Sequence, residues 1–432
     1  MKKTYLIALS LLFFSTCKLQ AQVVNNEEGD NDETEITVTN AQGKREVIDL
    51  PEAMTMELDS LMQLYNTKTY LRPDTSCNLP DINPVYDIAV YKKRLSMLPT
   101  IIEMPYNDVV QQFIDRYSGH LRRSVSYMLG AQNFYMPIFE EALESYGLPL
   151  ELKYLPVIES ALNPRAVSRV GATGLWQFMY ATGKSYGLEV NNYVDERSDP
   201  IRATKAAAKY LNELYKIFGD WDLVLAAYNS GPGNVTKAIR RSGGKTNYWN
   251  LRPYLPKETA GYVPAFLATL YIFEYAKEHG FQVEKREKVF FETDTVQVKR
   301  HISFKDVGEV VGMTEQEIEF FNPSYSLNIV PYIEGKNYGL RLPVEAIGKF
   351  VNNEDIIYAY LDQEASKREK PLPEVVSAAQ AKANNKITHK VKKGETLGRI
   401  ASRYGVTVNQ LKKWNKIRGN SVKTGQRIVI HR

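Results

Sequence analysis

Two cysteines, Cys17 and Cys77, are all that 432 residues contain. That number excludes a disulfide framework as the source of stability. Five histidines (His120, His279, His301, His389 and His431) are scattered. No two of them have the spacing of metal ligands, so no metal and no cofactor is called for. A glycine-rich phosphate loop closed by Lys and Ser or Thr is missing, and so is a Gly-x-Ser-x-Gly turn. The first absence argues against nucleotide hydrolysis and the second against a serine-hydrolase elbow. Long apolar runs are also lacking. Tyr5 to Phe14 is apolar, but a bilayer span needs roughly 20 such residues.

That short run has another reading. Lys2 and Lys3 precede it, and Ser15, Thr16 and the small residue Ala21 follow. A basic start, a short apolar stretch and a small residue make a secretory signal over residues 1–21, cleaved after Ala21. The alternative is acylation of Cys17, where Thr16 replaces the Gly or Ala of a regular lipobox. Either way the chain reads as exported, to the periplasm or the outer-membrane side of the cell envelope. The mature form is soluble, or lipid-anchored and peripheral to the membrane.

The net charge of +5 hides a segregation. Glu27, Glu28, Asp30, Asp32, Glu33 and Glu35 make the mature start acidic, and residues 22–82 read as an acidic and polar leader, flexible over 22–50. The last fifty residues are basic, a pattern that nucleic acid can attract. An exported chain points instead to a polyanionic envelope or a solvated surface, so no nucleic-acid partner is expected. Tyrosine is abundant, at 28 residues. Its ring suits sugars, although it equally fills half-buried core positions.

From residue 83 to 290 the texture is helical. Val109, Phe113, Ile114 and Tyr117 fall at helical spacing, as do Ala207, Tyr210, Leu211, Leu214 and Phe218, and then Tyr262, Phe266, Leu270 and Phe273. Beyond 290 the chain repeats itself. Val298, Phe304, Val307, Gly312, Thr314, Ile318, Phe321 and Asn322 match Val391, Leu397, Ile400, Gly405, Thr407, Leu411, Trp414 and Asn415 without a gap. The copies cover residues 296–345 and 387–432, and a helix and linker rich in Lys, Glu, Pro and Ala spans 346–386.

The second copy reads as strand, helix, helix, strand. Gly394-Glu395-Thr396 turns and caps a helix bearing Leu397, Ile400, Ala401 and Tyr404 on one face, and Gly405 ends it. This βααβ unit resembles the lysin motif, a module of peptidoglycan- and chitin-binding proteins. The resemblance implies glycan binding near Gly394, Thr396 and Asn415. The first copy departs from it, with His301 in place of Gly394 and a stretched second half.

Four clusters lie in the helical region. Glu159-Ser160 ends a helical run before Asn163-Pro164. Gly171 to Met179 contains Gly174-Leu175-Trp176-Gln177-Phe178. Ala227-Tyr228-Asn229-Ser230-Gly231 is the third, and Glu258-Thr259-Ala260-Gly261-Tyr262-Val263-Pro264 the fourth. Singly, each has an ordinary explanation. A lone Glu at a helix end is usually solvated, Asn229-Ser230-Gly231 is a common helix stop, and Tyr262 suits a core.

In this order, the four resemble the soluble lytic transglycosylase family, whose fold is goose-lysozyme-like, in the form that carries C-terminal lysin motifs. Trp176 stands where many relatives have Met. The resemblance implies a mostly α, lysozyme-like (α+β) catalytic domain followed by small α/β lysin-motif modules. It implies cleavage of the β-1,4 bond between MurNAc and GlcNAc in peptidoglycan glycan strands, leaving 1,6-anhydroMurNAc ends, in cell-wall remodelling. By resemblance Glu159 is the catalytic acid and base, with Ser160, Gln177, Tyr228, Asn229 and Tyr262 binding substrate or orienting it. Leu155, Val157, Ile158, Leu175, Trp176 and Phe178 are candidates for the apolar surround that keeps Glu159 protonated.

Two alternatives stay open at this point. One is a hydrolytic muramidase, with Asp195, Glu196 or Asp199 as second carboxylate, although a solvated loop before Pro200 accounts for those three equally well. The other is a non-catalytic wall-binding scaffold. A monomer is expected. Endo or exo cleavage follows from groove closure, which sequence does not contain.

Overall fold

The structure is a computed structural model, and it describes residues 34–39, 45–55, 83–281, 293–367, 386–419 and 421–431. The signal over 1–21, both cysteines and the linker beyond residue 367 lie outside the described residues.

Local sequence sets the helix starts. Asn107 accepts a hydrogen bond from the Val110 amide at 3.0 Å, so a helix runs Asp108–Ser118. Asp199 caps Pro200–Phe218 by accepting from the Ile201 and Arg202 amides, both at 2.9 Å. Asp220 caps Trp221–Ser230 through the Leu223 amide. Each such cap contributes about 1 kcal/mol. Gly219, in the left-handed region at φ 65°, ends the long Pro200–Phe218 helix.

The helix Lys257–Glu274 is apolar nearly all round, and its residues from Thr259 to Phe273 are buried. A helix without a polar face belongs in the centre of a domain. Asp108–Ser118 and Trp221–Ser230 pack on it directly, and Arg122–Ser145 packs on Pro200–Phe218. Phe113, Tyr117, Phe139, Phe266 and Tyr271 are wholly buried in this core. Side chains of this size contribute about 1.5–3 kcal/mol each.

The segment expected to be a flexible polar leader differs from that expectation over its described part. Glu35–Thr39 and Arg45–Asp49 pair antiparallel, Ile36 opposite Ile48. Ile36, Val38, Ile48 and Leu50 alternate inward and join the main core. A period of two is the ordinary signature of a half-buried strand; it was masked here by the acidic residues before it. The hairpin lies on the central helix at Gly261. A Cβ there would stand 2.4 Å from Ile48 Cγ2 and 2.9 Å from the Asp49 carbonyl oxygen. Arg252 adds an ion pair to Glu46 at 3.4 Å. The chain then makes a 3-10 turn at Glu52–Thr55 that packs on the helix Leu155–Ser160.

The first repeat also departs from the picture of a separate module. Thr293–Gln297 pairs with Gly339–Pro343, and Ile302–Ser303 with Ile329–Val330, around helices Phe304–Val311 and Glu315–Phe321. Its Phe320 and Phe321 enter the core of the catalytic domain, Phe320 lying 4.5 Å from Phe134 between ring centroids. Arg165 reaches across to the Pro323 and Tyr325 carbonyls at 3.1 and 2.8 Å and pairs with Glu319 at 2.9 Å. Val194 bridges to Tyr325, and Lys336 pairs with Glu189. At the position of Phe320 the second repeat has exposed Lys413. One apolar substitution in the repeat thus marks the copy that docks.

The second repeat shows the expected βααβ order: Lys386–Lys390, Leu397–Tyr404, Val408–Asn415 and Arg427–His431. It has its own core of Val391, Leu397, Ile400, Ala401, Leu411, Ile428 and Ile430. Glu395 fastens its first turn. It accepts from the Lys392 amide and pairs with His389 and Arg403, contacts that hold its carboxyl down at about 2.

Gly261→Ala should cost about 1–3 kcal/mol by overpacking. It should also make the 45–55 segment sensitive to limited proteolysis. A variant as stable and protease-resistant as wild type would show that the hairpin does not seat on Gly261.

Candidate active site

Glu159 lies in the last turn of the helix Leu155–Ser160. Ala161 and Leu162 follow with φ of 50° and 59°. Two consecutive left-handed non-glycine residues stop the helix abruptly and are strained. Gln177 is left-handed as well, at φ 46°. Three of the five such residues among the described ones therefore flank a single cavity, the usual location of stored backbone strain.

The turn carrying Gln177 is locked from behind. Gly174, at φ 87°, has no room for a Cβ, which would sit 1.8 Å from the Arg197 carbonyl oxygen. The Arg197 guanidinium donates to the Gly171 and Phe178 carbonyls, both at 3.1 Å, and to Asp195 at 2.9 and 2.7 Å. The Trp176 indole N–H donates to Thr204 Oγ1 at 2.9 Å. Ser160 Oγ lies 2.9 Å from the Pro156 carbonyl and 3.0 Å from the Leu175 carbonyl, tying the end of the Glu159 helix to this turn.

The cavity has a volume of about 520 Å³. Glu159 opens into it beside Ile158, Trp176 and Phe178, and Gln177, Tyr228, Asn229 and Tyr262 share its wall. Four of the five expected substrate-binding residues are thereby brought together with Glu159. Ser160 is the exception. It is 1% exposed and does not line the cavity. Its role is to position the helix end, because its hydroxyl is held by two backbone carbonyls.

Burial raises the Glu159 carboxyl from its ordinary value near 4.5 to about 8. A hydrogen bond from the Tyr262 hydroxyl to Oε1 pulls the other way, and the nearby charge of Glu258 adds to the rise. Burial, then the Glu159 charge, pushes both the Tyr228 and Tyr262 hydroxyls well above the usual phenol range, so both remain donors. Tyr228 donates to the Trp176 carbonyl at 2.8 Å. Asn229 donates to Glu258 at 2.9 Å and accepts from Thr259 Oγ1 at 2.7 Å.

Asp195, Glu196 and Asp199 are not in the cavity. Asp195 holds Arg197, Glu196 pairs with Arg202 at 3.1 Å, and Asp199 caps a helix. The carboxylates that line the wall with Glu159 are Glu258 and Glu52. The Glu258 string was visible in sequence, but its place was not. Pro51, Glu52 and Ala53 also line the cavity, as does Arg169, which pairs with Glu52 at 3.2 Å. Only the hairpin's alternation at Ile36, Val38, Ile48 and Leu50 could have signalled this contribution. Among the described residues no group of acidic, His or Cys side chains could hold a metal ion.

The family model "Transglycosylase SLT domain" matches residues 136–250, which include Glu159, Ser160, Gln177, Tyr228 and Asn229. Models for "Lytic transglycosylase MltD, LysM-like domain" and "LysM domain" match 292–359 and 389–431. Membrane-bound lytic murein transglycosylase D of Escherichia coli K12 is 31% identical over 331 residues, 76% of this chain and 70% of that protein. This chain belongs to the lytic transglycosylase family of that protein. The soluble lytic murein transglycosylase of the same organism is 33% identical over 135 residues, 30% of this chain and 20% of that one. The solved 70 kDa soluble lytic transglycosylase of E. coli aligns at 24% identity with a TM-score of 0.30, covering 42% of this chain and 32% of that one. Tyr262 lies beyond the residues that the domain model matches; its hydrogen bond to Glu159 places it in the same cavity.

The expected lysin-motif contacts have structural roles. Gly394 takes the left-handed turn at φ 83°, and Thr396 caps the Leu397–Tyr404 helix through the Arg399 amide. Asn415 Nδ2 donates to the Leu411 and Val429 carbonyls at 2.9 and 2.7 Å, while its Oδ1 accepts from the Val429 amide at 2.6 Å. Asn322 does the same in the first repeat, with Ile318 and Arg341. The Asn415 amide thus has no donor left for a glycan.

Proton linkage gives a test of the Glu159 environment. The folded protein holds the Glu159 proton up to about pH 8, whereas the unfolded chain releases it near 4.5. Between those values the folded state binds the extra proton, so this group's contribution to stability falls as pH rises. Glu159→Gln lacks that dependence. Its melting temperature should match wild type near pH 4, rise relative to wild type up to about pH 8, and level off. A difference that does not change with pH would rule out the raised acid.

Proposed function

We propose that this lytic transglycosylase cleaves peptidoglycan glycan strands with Glu159 as the single acid and base. The observation that carries this reading is the Glu159 carboxyl lining a cavity, hydrogen-bonded by the Tyr262 hydroxyl and pushed up to about 8 by burial, while Asp195, Glu196 and Asp199 lie outside that cavity.

With Oε1 accepting from Tyr262, Oε2 carries the acidic proton. Glu159 gives that proton to the glycosidic oxygen between MurNAc and GlcNAc. The C1–O bond breaks and the GlcNAc side leaves as a neutral alcohol. Positive charge grows on MurNAc C1, where the sugar's own N-acetyl oxygen stabilises it. The Glu159 carboxylate, now steadied by the Tyr262 hydroxyl, takes the proton of the C6 hydroxyl. The C6 oxygen bonds to C1 and closes a 1,6-anhydro ring. Atoms balance without water, and Glu159 ends protonated as it began. Ordinary glycosidases use two carboxylates because water or an enzyme nucleophile must attack; an internal hydroxyl removes that need.

Asn229 presents its second amide N–H, and Tyr228 its ring and the lone pairs of its hydroxyl, to the sugar and its N-acetyl group. Gln177, whose amide nitrogen is held by the Ala166 and Gly174 carbonyls, shapes the wall between them. The second lysin motif tethers the enzyme to glycan and raises its local concentration. The relative's name places that protein at a membrane. We place this chain in the cell envelope, reached through its N-terminal signal.

Glu159→Gln should lower turnover of purified sacculi by about 10²–10⁴-fold, the usual worth of a general acid and base. Glu258→Gln should lower it about tenfold or less, because the Asn229 amide keeps an acceptor there and loses only its charge. Mass spectrometry of the products should find 1,6-anhydro ends. Reducing ends, together with equal losses in the two variants, would instead assign a two-carboxylate hydrolase. Removing residues 386–432 should weaken sacculus binding and spare cleavage of short soluble strands. Unchanged binding would refute the tethering role.

A further inference from the structure

A second cavity, of about 700 Å³, lies next to the Glu159 groove. One side is the helix Pro232–Arg241, which presents Lys237, Arg240 and Arg241; the other is the segment Pro253–Pro256 with Tyr254. The two cavities share a ridge. Ser230 lines the groove and Asn234 the second cavity, and Asn234 Nδ2 donates to the Ser230 carbonyl at 2.8 Å. Pro256 lines the second cavity and Glu258, two residues on, the groove.

The charges of the two cavities are opposed. The groove wall carries Glu258 and the Glu52–Arg169 ion pair, and stays net negative through Glu258. The shelf carries three cations, and no carboxylate forms an ion pair with Lys237, Arg240 or Arg241 among the described residues. Arg241 donates to the Tyr254 carbonyl and is held against the shelf. Val235 and Ala238 are buried behind it, so the cations stand on a fixed helix face. Arg240 and Arg241 also suit the negative end of their helix. That accounts for neither Lys237 nor the concave wall opposite.

We infer that this shelf binds the anionic stem peptide that hangs from the lactyl group of MurNAc, while the neutral sugars occupy the groove. The inference rests on the transglycosylase reading above. Carboxylates have two sources on this substrate, the free lactyl group of a peptide-free strand and the stem peptide itself. Reach selects the peptide. A helix rises about 1.5 Å per residue, so Lys237 and Arg241 stand about 9 and 15 Å along the axis from Gly231 at the groove. A lactyl carboxylate lies on the sugar ring, whereas a peptide extends that far. Repulsion from Glu258 and attraction to the shelf act within roughly 8–10 Å, the screening length in physiological salt, so they sort the anionic arm to one side. The result is a fixed register of the strand over Glu159.

The test compares two substrates in the full chain: soluble glycan strands bearing stem peptides, and the same strands stripped by an amidase. The variant Lys237→Glu/Arg240→Glu should lose about tenfold or more in kcat/KM on peptide-bearing strands and stay within about twofold on stripped ones. The neutral pair Lys237→Met/Arg240→Met should show the same selectivity at smaller size, which separates charge recognition from misfolding. Raising salt should narrow the wild-type preference for peptide-bearing strands. Equal losses on both substrates, or no loss on either, would overturn the inference; a loss confined to stripped strands would assign the shelf to the lactyl carboxylate and overturn it too. Anhydro ends from wild type on stripped strands check the reaction itself, so a failure there is told apart from a failure of the shelf.

Discussion

A carboxylic acid kept out of water, yet open to a substrate, is the constraint that organises this molecule. Desolvation disfavours the charged form of Glu159 and holds its proton through neutral pH. The same burial would destabilise the fold if the acid ionised without a partner. The Tyr262 hydroxyl supplies that partner: it donates to Oε1 whether the acid is neutral or ionised. Burial and the hydroxyl act in opposite directions, and their balance sets the acid within reach of neutral pH.

Such a balance needs a rigid frame. The Glu159 helix is stopped by two left-handed residues, the facing turn holds a third, and buried contacts on every side keep these conformations in place. Arg197 ties the turn by its carbonyls, Gly174 lets the Arg197 backbone approach, and Trp176 anchors it to the long helix behind. Ser160, which looked like a substrate contact, belongs to this frame. Polar residues in a family string thus divide into those that line the cavity and those that hold the others still.

The frame extends beyond the catalytic domain in sequence. The hairpin near the N-terminus adds Pro51, Glu52 and Ala53 to the groove and seats on Gly261. The first repeat inserts Phe320 and Phe321 and grips Arg165, six residues after Glu159. Both copies of the repeat keep the same asparagine fastening, through Asn322 and Asn415. Their difference lies in the outward residues: an apolar side chain docks one copy on the enzyme, and a lysine leaves the other with a core of its own.

Much of this was legible in the chain itself. The helical periodicity, the turn and cap at Gly394-Glu395-Thr396, the constant-offset repeat and the four clusters around Glu159, Gln177, Tyr228 and Tyr262 are local patterns. Local sequence specifies backbone hydrogen bonding and the spacing of apolar faces, so such patterns survive without a fold. The tertiary structure alone decided that Ser160 turns inward, that Glu258 rather than Asp195, Glu196 or Asp199 shares the cavity, and that the leader's hairpin walls the groove. It alone decided that the carboxyl of Glu159 is desolvated. Burial and proximity are properties of residues far apart in the chain, and no window of sequence contains the neighbours that create them.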